Sequence, residues 1–312
     1  MSGHALIISG GGAKGAWGVG VSHALVAEKK RQYNTVIGTS TGSLMGPLIL
    51  GGRFEDLRNA YTSVSQGDIF NVNPFKKDGG IKLLKVAMRI LRGKQSLGES
   101  ENLRTLIRKF IDPSLYDEII QSGKTFGATV TALKEAQSHV KLLGDGSYED
   151  IIDWIWASAN QPLFMSLLKR DGDAWVDGGL KDFVSIKYII ENNLADEIDV
   201  IIHNTPEIID DRYDIEGGIL KILLRTISIF SADVALNDIA SARLNLEIDK
   251  ELNINFYFMK KHQVDLIGNS LIFDPEKMNR ILEEGYTSIV DGSCTLDECH
   301  ITTDGLIKPG HA

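Results

Sequence analysis

Two short apolar runs, each stopped by closely spaced glycines, constrain this chain more than any other feature. Ala5-Leu6-Ile7-Ile8-Ser9 runs straight into Gly10-Gly11-Gly12-Ala13-Lys14-Gly15, and Thr35-Val36-Ile37 runs into Gly38-Thr39-Ser40-Thr41-Gly42. An unalternating apolar run of this length reads as a strand buried on both faces, as in a parallel sheet. Glycines directly behind it permit a tight turn into a helix. Helices are expected from about Gly15 to Lys30 and, despite Pro47, over Ser43 to Leu50. Further strands are expected at Phe126–Thr131, Val140–Leu143, Ala174–Val176, Val200–His203 and Ile254–Met259, with room between them for crossover helices. The fold class is therefore α/β, with a mostly parallel central sheet covered on both faces. Thirty-one glycines against seven prolines suit many strand-to-helix turns better than linkers.

With 312 residues and no internal repeat or composition shift, one domain spanning 1–312 is expected. The net charge of -9 gives nucleic acid no electrostatic support. No run of about 18 apolar residues is present and the N-terminus does not look like a signal peptide, so a cytoplasmic location is expected. Cys294 and Cys299, near His300, neither staple a secreted domain nor complete a metal ligand set. No metal and no cofactor are expected.

Gly38-Thr39-Ser40-Thr41-Gly42 fits G-x-S-x-G, the turn that holds a serine strained and exposed between a strand and a helix. Gly38 and Gly42 are small because the backbone passes itself closely there. The glycines Gly10, Gly11, Gly12 and Gly15, with Lys14 among them, form an anion-binding nest at a helix start. The spacing satisfies G-x-G-x-x-G, but a dinucleotide site wants an acidic residue about 20 positions on. Gln32, Tyr33 and Asn34 stand there instead. The other anion such a nest fits is a tetrahedral oxyanion. Asp177-Gly178-Gly179 follows Ala174-Trp175-Val176, which presents a carboxylate at a strand end; taken alone, Asp-Gly is a turn signal.

A glycine-rich loop, a G-x-S-x-G serine and a D-G-G aspartate, in this order, resemble the patatin-like phospholipase family. Ala157-Ser158-Ala159-Asn160-Gln161-Pro162-Leu163-Phe164 is similar to its segment ahead of the aspartate, and Phe273-Asp274-Pro275 with Gly285-Tyr286 to its closing helix. The resemblance covers most of the chain. It implies a three-layer α/β/α fold and a Ser40–Asp177 dyad that needs no histidine, hydrolysing acyl esters of phospholipids or other lipids. It also implies an oxyanion hole from the Gly10–Gly15 loop; Lys14 there is read either as orienting that loop or a phosphate head group, or as an ordinary exposed lysine. The residues agree on the histidine: of seven, only His203 follows a strand-like run, where a buried structural role is the simpler reading. Two departures stand out. Lys181-Asp182-Phe183-Val184 replaces the family's usual asparagine and proline, and Thr41 and Ser43 replace small apolar residues. The rival functions are a serine-elbow acyltransferase and a nucleotide-binding protein using the glycine loop.

The segment from Phe75 to Lys94 is the least absorbed by this scheme. Lys76, Lys77, Lys82, Lys85, Arg89, Arg92 and Lys94 face a single acid, Asp78, and Lys82, Lys85, Arg89 and Arg92 fall along one helical stripe beside Ile81, Leu84, Met88 and Leu91. A basic amphipathic cap at about 75–94 is expected, a candidate peripheral membrane surface. The alternative is an ordinary helix whose apolar stripe packs on the core.

Overall fold

The computed structural model describes residues 3–76, 80–205, 219–248, 252–293, 299–301 and 307–309. Lys77, Asp78 and Cys294 lie outside them. In chain order the first half runs β1 (His4–Ile8), α1 (Gly15–Ala27), β2 (Thr35–Thr39), α2 (Thr41–Leu50), α3 (Phe54–Thr62), the single turn α4 (Gln66–Ile69), α5 (Leu83–Leu91), α6 (Glu101–Phe110) and α7 (Pro113–Gln121). The second half runs β3 (Thr125–Ala132), β4 (Gln137–Leu142), α8 (Tyr148–Ser158), β5 (Leu168–Arg170), β6 (Asp173–Asp177), α9 (Ile186–Glu191), β7 (Glu197–Ile202), α10 (Ile219–Ile248), β8 (Asn253–Phe258), α11 (Lys261–Ile267) and α12 (Pro275–Val290). A small hairpin, β9 (Cys299–Ile301) with β10 (Ile307–Pro309), follows.

Sheet order is β5-β6-β3-β2-β1-β7-β8, with β4 also paired to β3. The five strands β3, β2, β1, β7 and β8 are parallel to one another, whereas β4 and β6 run antiparallel to β3, and β5 antiparallel to β6. Alternation along β1 divides the interior into two cores. Leu6 and Ile8 enter one with helices α1, α2, α6, α8 and α12; Ala5 and Ile7 enter the other with α9 and α10. Three layers result, a mixed α/β fold with a mostly parallel sheet, as the apolar runs predict.

The order of connections decides where a site can form. The chain leaves β1 for β2 on one side and returns to β7 on the other, so β1 is the switch point and its carboxyl end opens into a crevice. The opposite end of β7 is closed by polar contacts: fully buried Asp199 accepts from Tyr33 at 2.7 Å and Asn255 at 2.9 Å, with His4 Nε2 at 3.0 Å. Burial alone would raise its pKa, but these donors outweigh it and hold the carboxyl below the ordinary range.

Candidate active site

The elbow forms where β2 ends. Ser40 caps α2 with φ 54° and ψ −120°, a left-handed conformation that costs a non-glycine residue about 1–3 kcal/mol. Surrounding contacts hold it there. Its N–H donates to Ser158 Oγ at 3.0 Å, and its carbonyl accepts from Ser43 N at 3.0 Å and Ser43 Oγ at 2.6 Å. A Cβ on Gly42 would lie 2.2 Å from the Ile8 carbonyl oxygen, and one on Gly38 would lie 2.3 Å from the Gly42 backbone, so both turn glycines are sterically required. Ser43 thus braces the turn, and the Thr41 hydroxyl pairs with Tyr61 at 2.5 Å. The two hydroxyls that depart from the resemblance have structural work.

Asp177 meets Ser40 through strand register. Thr39 pairs with Thr129 and Asp177 with Val130, so the carboxylate stands one step past the end of β2, beside the serine. It does so on an antiparallel strand, not at the carboxyl end of a parallel one as the sequence suggests. The Asp177 N–H is held by the Asn160 carbonyl at 3.1 Å, and its Oδ1 accepts from Gly179 N at 2.8 Å. Gly178 lies flat on Thr129, where a Cβ would meet the Thr129 carbonyl at 2.4 Å. Burial pushes the Asp177 carboxyl up to about 6, against the lowering effect of the Ser40 hydroxyl and the Gly179 N–H. Asp199, equally buried, has more donors and moves the other way.

The glycine loop closes the other side of Ser40. A Cβ on Gly10 would lie 3.2 Å from Ser40 Cβ. Gly12 has φ 54°, and its added Cβ would meet the Ser270 carbonyl at 2.3 Å. The N–H groups of Gly10, Gly11 and Gly12 donate to no partner among the described residues, and all three glycines line the same cavity as Ser40. Gly15 opens α1 against the Thr41 side chain, and lies behind the nest rather than in it. His203 fixes the loop from beneath. Its Nδ1 lies 3.0 Å from the Ser9 carbonyl, its N–H donates to Ser9 Oγ at 2.9 Å, and burial takes its pKa down to about 4, so the ring is neutral. His203 is thus buried and tied to Ser9, and it also lines the space in front of Ser40. Lys14 lines the same space, and burial lowers it to about 8 against the attraction of Asp265.

Ser40 and Asp177 open onto a cavity of about 250 Å³. Much of its wall is apolar: Leu44 and Leu48 of α2, Leu103 and Ile107 of α6, Ile69 and Phe164. Ile227, Phe230 and Ser231 of α10 line it as well. Among the described residues none from 75–94 lines it, so the expected basic cap does not roof the serine. No group of His, Cys, Asp and Glu able to hold a metal occurs among the described residues.

Four contributors escaped sequence reasoning. Ser158 and Asn160 lie in a segment noted only for its family likeness, yet they anchor Ser40 and Asp177 respectively. Phe183, in the divergent loop, packs against Gly10 and Gly179. Asp238 accepts from Phe183 N at 2.9 Å and Val184 N at 3.1 Å, tying α10 to that loop. Its only sequence signal is an acid beside Asn237 in the mostly apolar stretch Val234–Ala240. Burial, then the neighbouring Asp182 charge, pushes Asp238 up to about 7.

Known proteins place this arrangement. A family model described as patatin-like phospholipase matches residues 6–190, more than half of the chain, including the glycine loop, the elbow and the Asp-Gly-Gly turn. The chain belongs to the patatin-like phospholipase family. It is thereby a member of a lipid hydrolase family; the α10 tether and α12 lie beyond the matched span. No curated protein matches it. Among solved structures VipD from Legionella pneumophila is similar, at 14% identity and a TM-score of 0.47, over 94% of this chain and 67% of that one. No helix among the described residues is long and apolar enough to cross a membrane.

Proposed function

We propose that this patatin-like protein is a carboxylic-ester hydrolase acting on phospholipids or other acyl lipids through a Ser40–Asp177 dyad. The observation that carries the reading is the pairing of a strained Ser40 with a buried Asp177 at the head of an apolar cavity. Asp177 takes the Ser40 hydroxyl proton as Oγ attacks the acyl carbon. The carbonyl oxygen becomes an oxyanion, received by the free amides of the Gly10–Gly12 loop. Collapse expels the alcohol with the proton from Asp177, leaving an ester on Ser40. Water, deprotonated by Asp177, then releases the fatty acid and restores both groups.

The carboxyl's elevated pKa suits this task, because a base near neutrality can both accept and return the proton. The cavity takes the acyl chain between α2 and α6, and Lys14 faces the head-group phosphate or the oxyanion. The whole chain serves as one domain, with its sheet and both helical layers contributing to the site. Fatty-acid release from phosphatidylcholine and from a soluble short-chain ester tests the reading. Ser40→Ala and Asp177→Asn should each lower the rate by several orders of magnitude, and the double variant little further. Appreciable release by Ser40→Ala would refute it.

A further inference from the structure

Helix α5 is amphipathic with its faces reversed. A helix packed on a globular core buries its apolar stripe. Here only Val86 is buried, while Leu83 is 74%, Leu84 76%, Ile90 62% and Leu91 85% exposed, with Met88 at 41%. The polar side does the anchoring. Arg89 donates to Glu99 Oε1 at 3.0 Å and to the carbonyls of Ser96 at 2.9 Å and Gly98 at 3.3 Å. Lys82 Nζ reaches the Asn73 carbonyl at 3.4 Å. Two residues of the expected basic stripe are therefore occupied internally, whereas Lys85 and Arg92 are exposed beside the apolar face; Lys94 is exposed as well but lies 3.9 Å from Glu99 Oε1.

That face is joined to the cavity rim. The loop gripped by Arg89 continues to Leu97, whose N–H donates to the Leu163 carbonyl at 2.7 Å, and Leu163 is 45% exposed between two cavity-lining residues, Pro162 and Phe164. Leu180 and Phe230 line the cavity and are 48% and 62% exposed. Between Gly80 and Lys94 there are five basic residues and no acidic one, in a chain of net charge -9. A partner of this surface must accept both protruding leucines and positive charge, and an anionic bilayer does both.

We propose that α5 and the adjoining rim around Leu163 form a bilayer-docking face, its leucines entering the boundary between head groups and acyl chains while Lys85 and Arg92 meet anionic head groups. Arg89 is the strut that holds this face in register with the cavity. The proposal rests on the lipid-hydrolase reading for its purpose but not for its test, because binding is measured without turnover.

Cosedimentation of the Ser40→Ala protein with phosphatidylcholine vesicles, with and without phosphatidylglycerol, provides that test. Binding is expected to the anionic vesicles and to weaken with salt. Leu84→Ser with Leu91→Ser should lower it at least tenfold, and Lys85→Glu with Arg92→Glu by a comparable factor, since each basic residue at the surface contributes about fivefold. In the Ser40 background the same pairs should leave the thermal midpoint and the kcat/KM for a soluble short-chain ester unchanged. Absent vesicle binding, or binding that neither pair alters, overturns the proposal and points to a protein partner for α5. Vesicle binding as described, without hydrolysis of any ester by the Ser40 form, would uphold the docking face and refute the catalytic reading.

Discussion

Replacing Asp177 with asparagine should abolish activity and at the same time make the protein more stable at alkaline pH. The perturbation removes a charge and keeps the shape. Asparagine Oδ1 can still accept from Gly179 N, now at 2.8 Å, and its amide can donate to the Ser40 hydroxyl in place of the bond it loses. Burial raises the Asp177 carboxyl from 3.8 to about 6, and at 1.36 kcal/mol per unit the folded chain carries a penalty of about 3 kcal/mol when that group is ionised. The sign follows from proton uptake. Between pH 3.8 and about 6 the folded state holds the proton more tightly than the unfolded state, so wild-type stability falls as pH rises through this window and levels off above it. The asparagine variant lacks that fall. Urea unfolding of both proteins from pH 4 to pH 8 should show the variant gaining up to about 3 kcal/mol at the alkaline end, with the gain shrinking towards the acid end. A variant that is less stable than wild type at pH 8, or whose advantage does not change with pH, would refute the reasoning that the carboxylate is held at a cost.

Other outcomes follow from the same geometry. The kcat/KM profile should rise as pH passes about 6, where Asp177 ionises, and fall as it passes about 8, where Lys14 loses its proton; Lys14→Met should remove the alkaline limb and raise KM for phospholipid more than for a neutral ester. Asp238→Ala strips two backbone N–H groups of their acceptor and should cost about 1–3 kcal/mol by thermal unfolding while lowering kcat/KM, whereas Asp238→Asn keeps the acceptor and should restore most of both. Gly42→Ala places a methyl group 2.2 Å from the Ile8 carbonyl oxygen and should cost at least about 3 kcal/mol, seen as a loss of soluble protein or of a cooperative transition.

What was legible in the sequence was local chemistry. Unbroken apolar runs beside glycines mark β1 and β2, because a strand buried on both faces admits no alternation and a tight exit admits no side chain. The pairing of Ser40 with Asp177 was available only through family likeness, since 137 positions separate them in the chain and strand register alone joins them. The antiparallel course of β6 could not be read, because Asp-Gly ends strands of either direction. Strand β5, with Leu168, Lys169 and Arg170, carries too few apolar residues to register as a strand. Asp238 is a tether only by virtue of where α10 crosses the loop, a fact of tertiary packing. Helix α5 left two readings open for a physical reason: amphipathic periodicity reports that a helix has an apolar face, not whether the core or something outside the protein covers it.

The central claim is that Ser40 forms a covalent bond with the acyl group and that Asp177 activates it. Mass spectrometry of peptides after exposure to a fluorophosphonate, timed in wild type and Asp177→Asn, tests both halves. The account predicts one adduct, on Ser40, absent from Ser40→Ala and formed at least about a hundredfold more slowly when Asp177 is asparagine. An adduct on another residue, or labelling of Ser40 at an undiminished rate in Asp177→Asn, would contradict it.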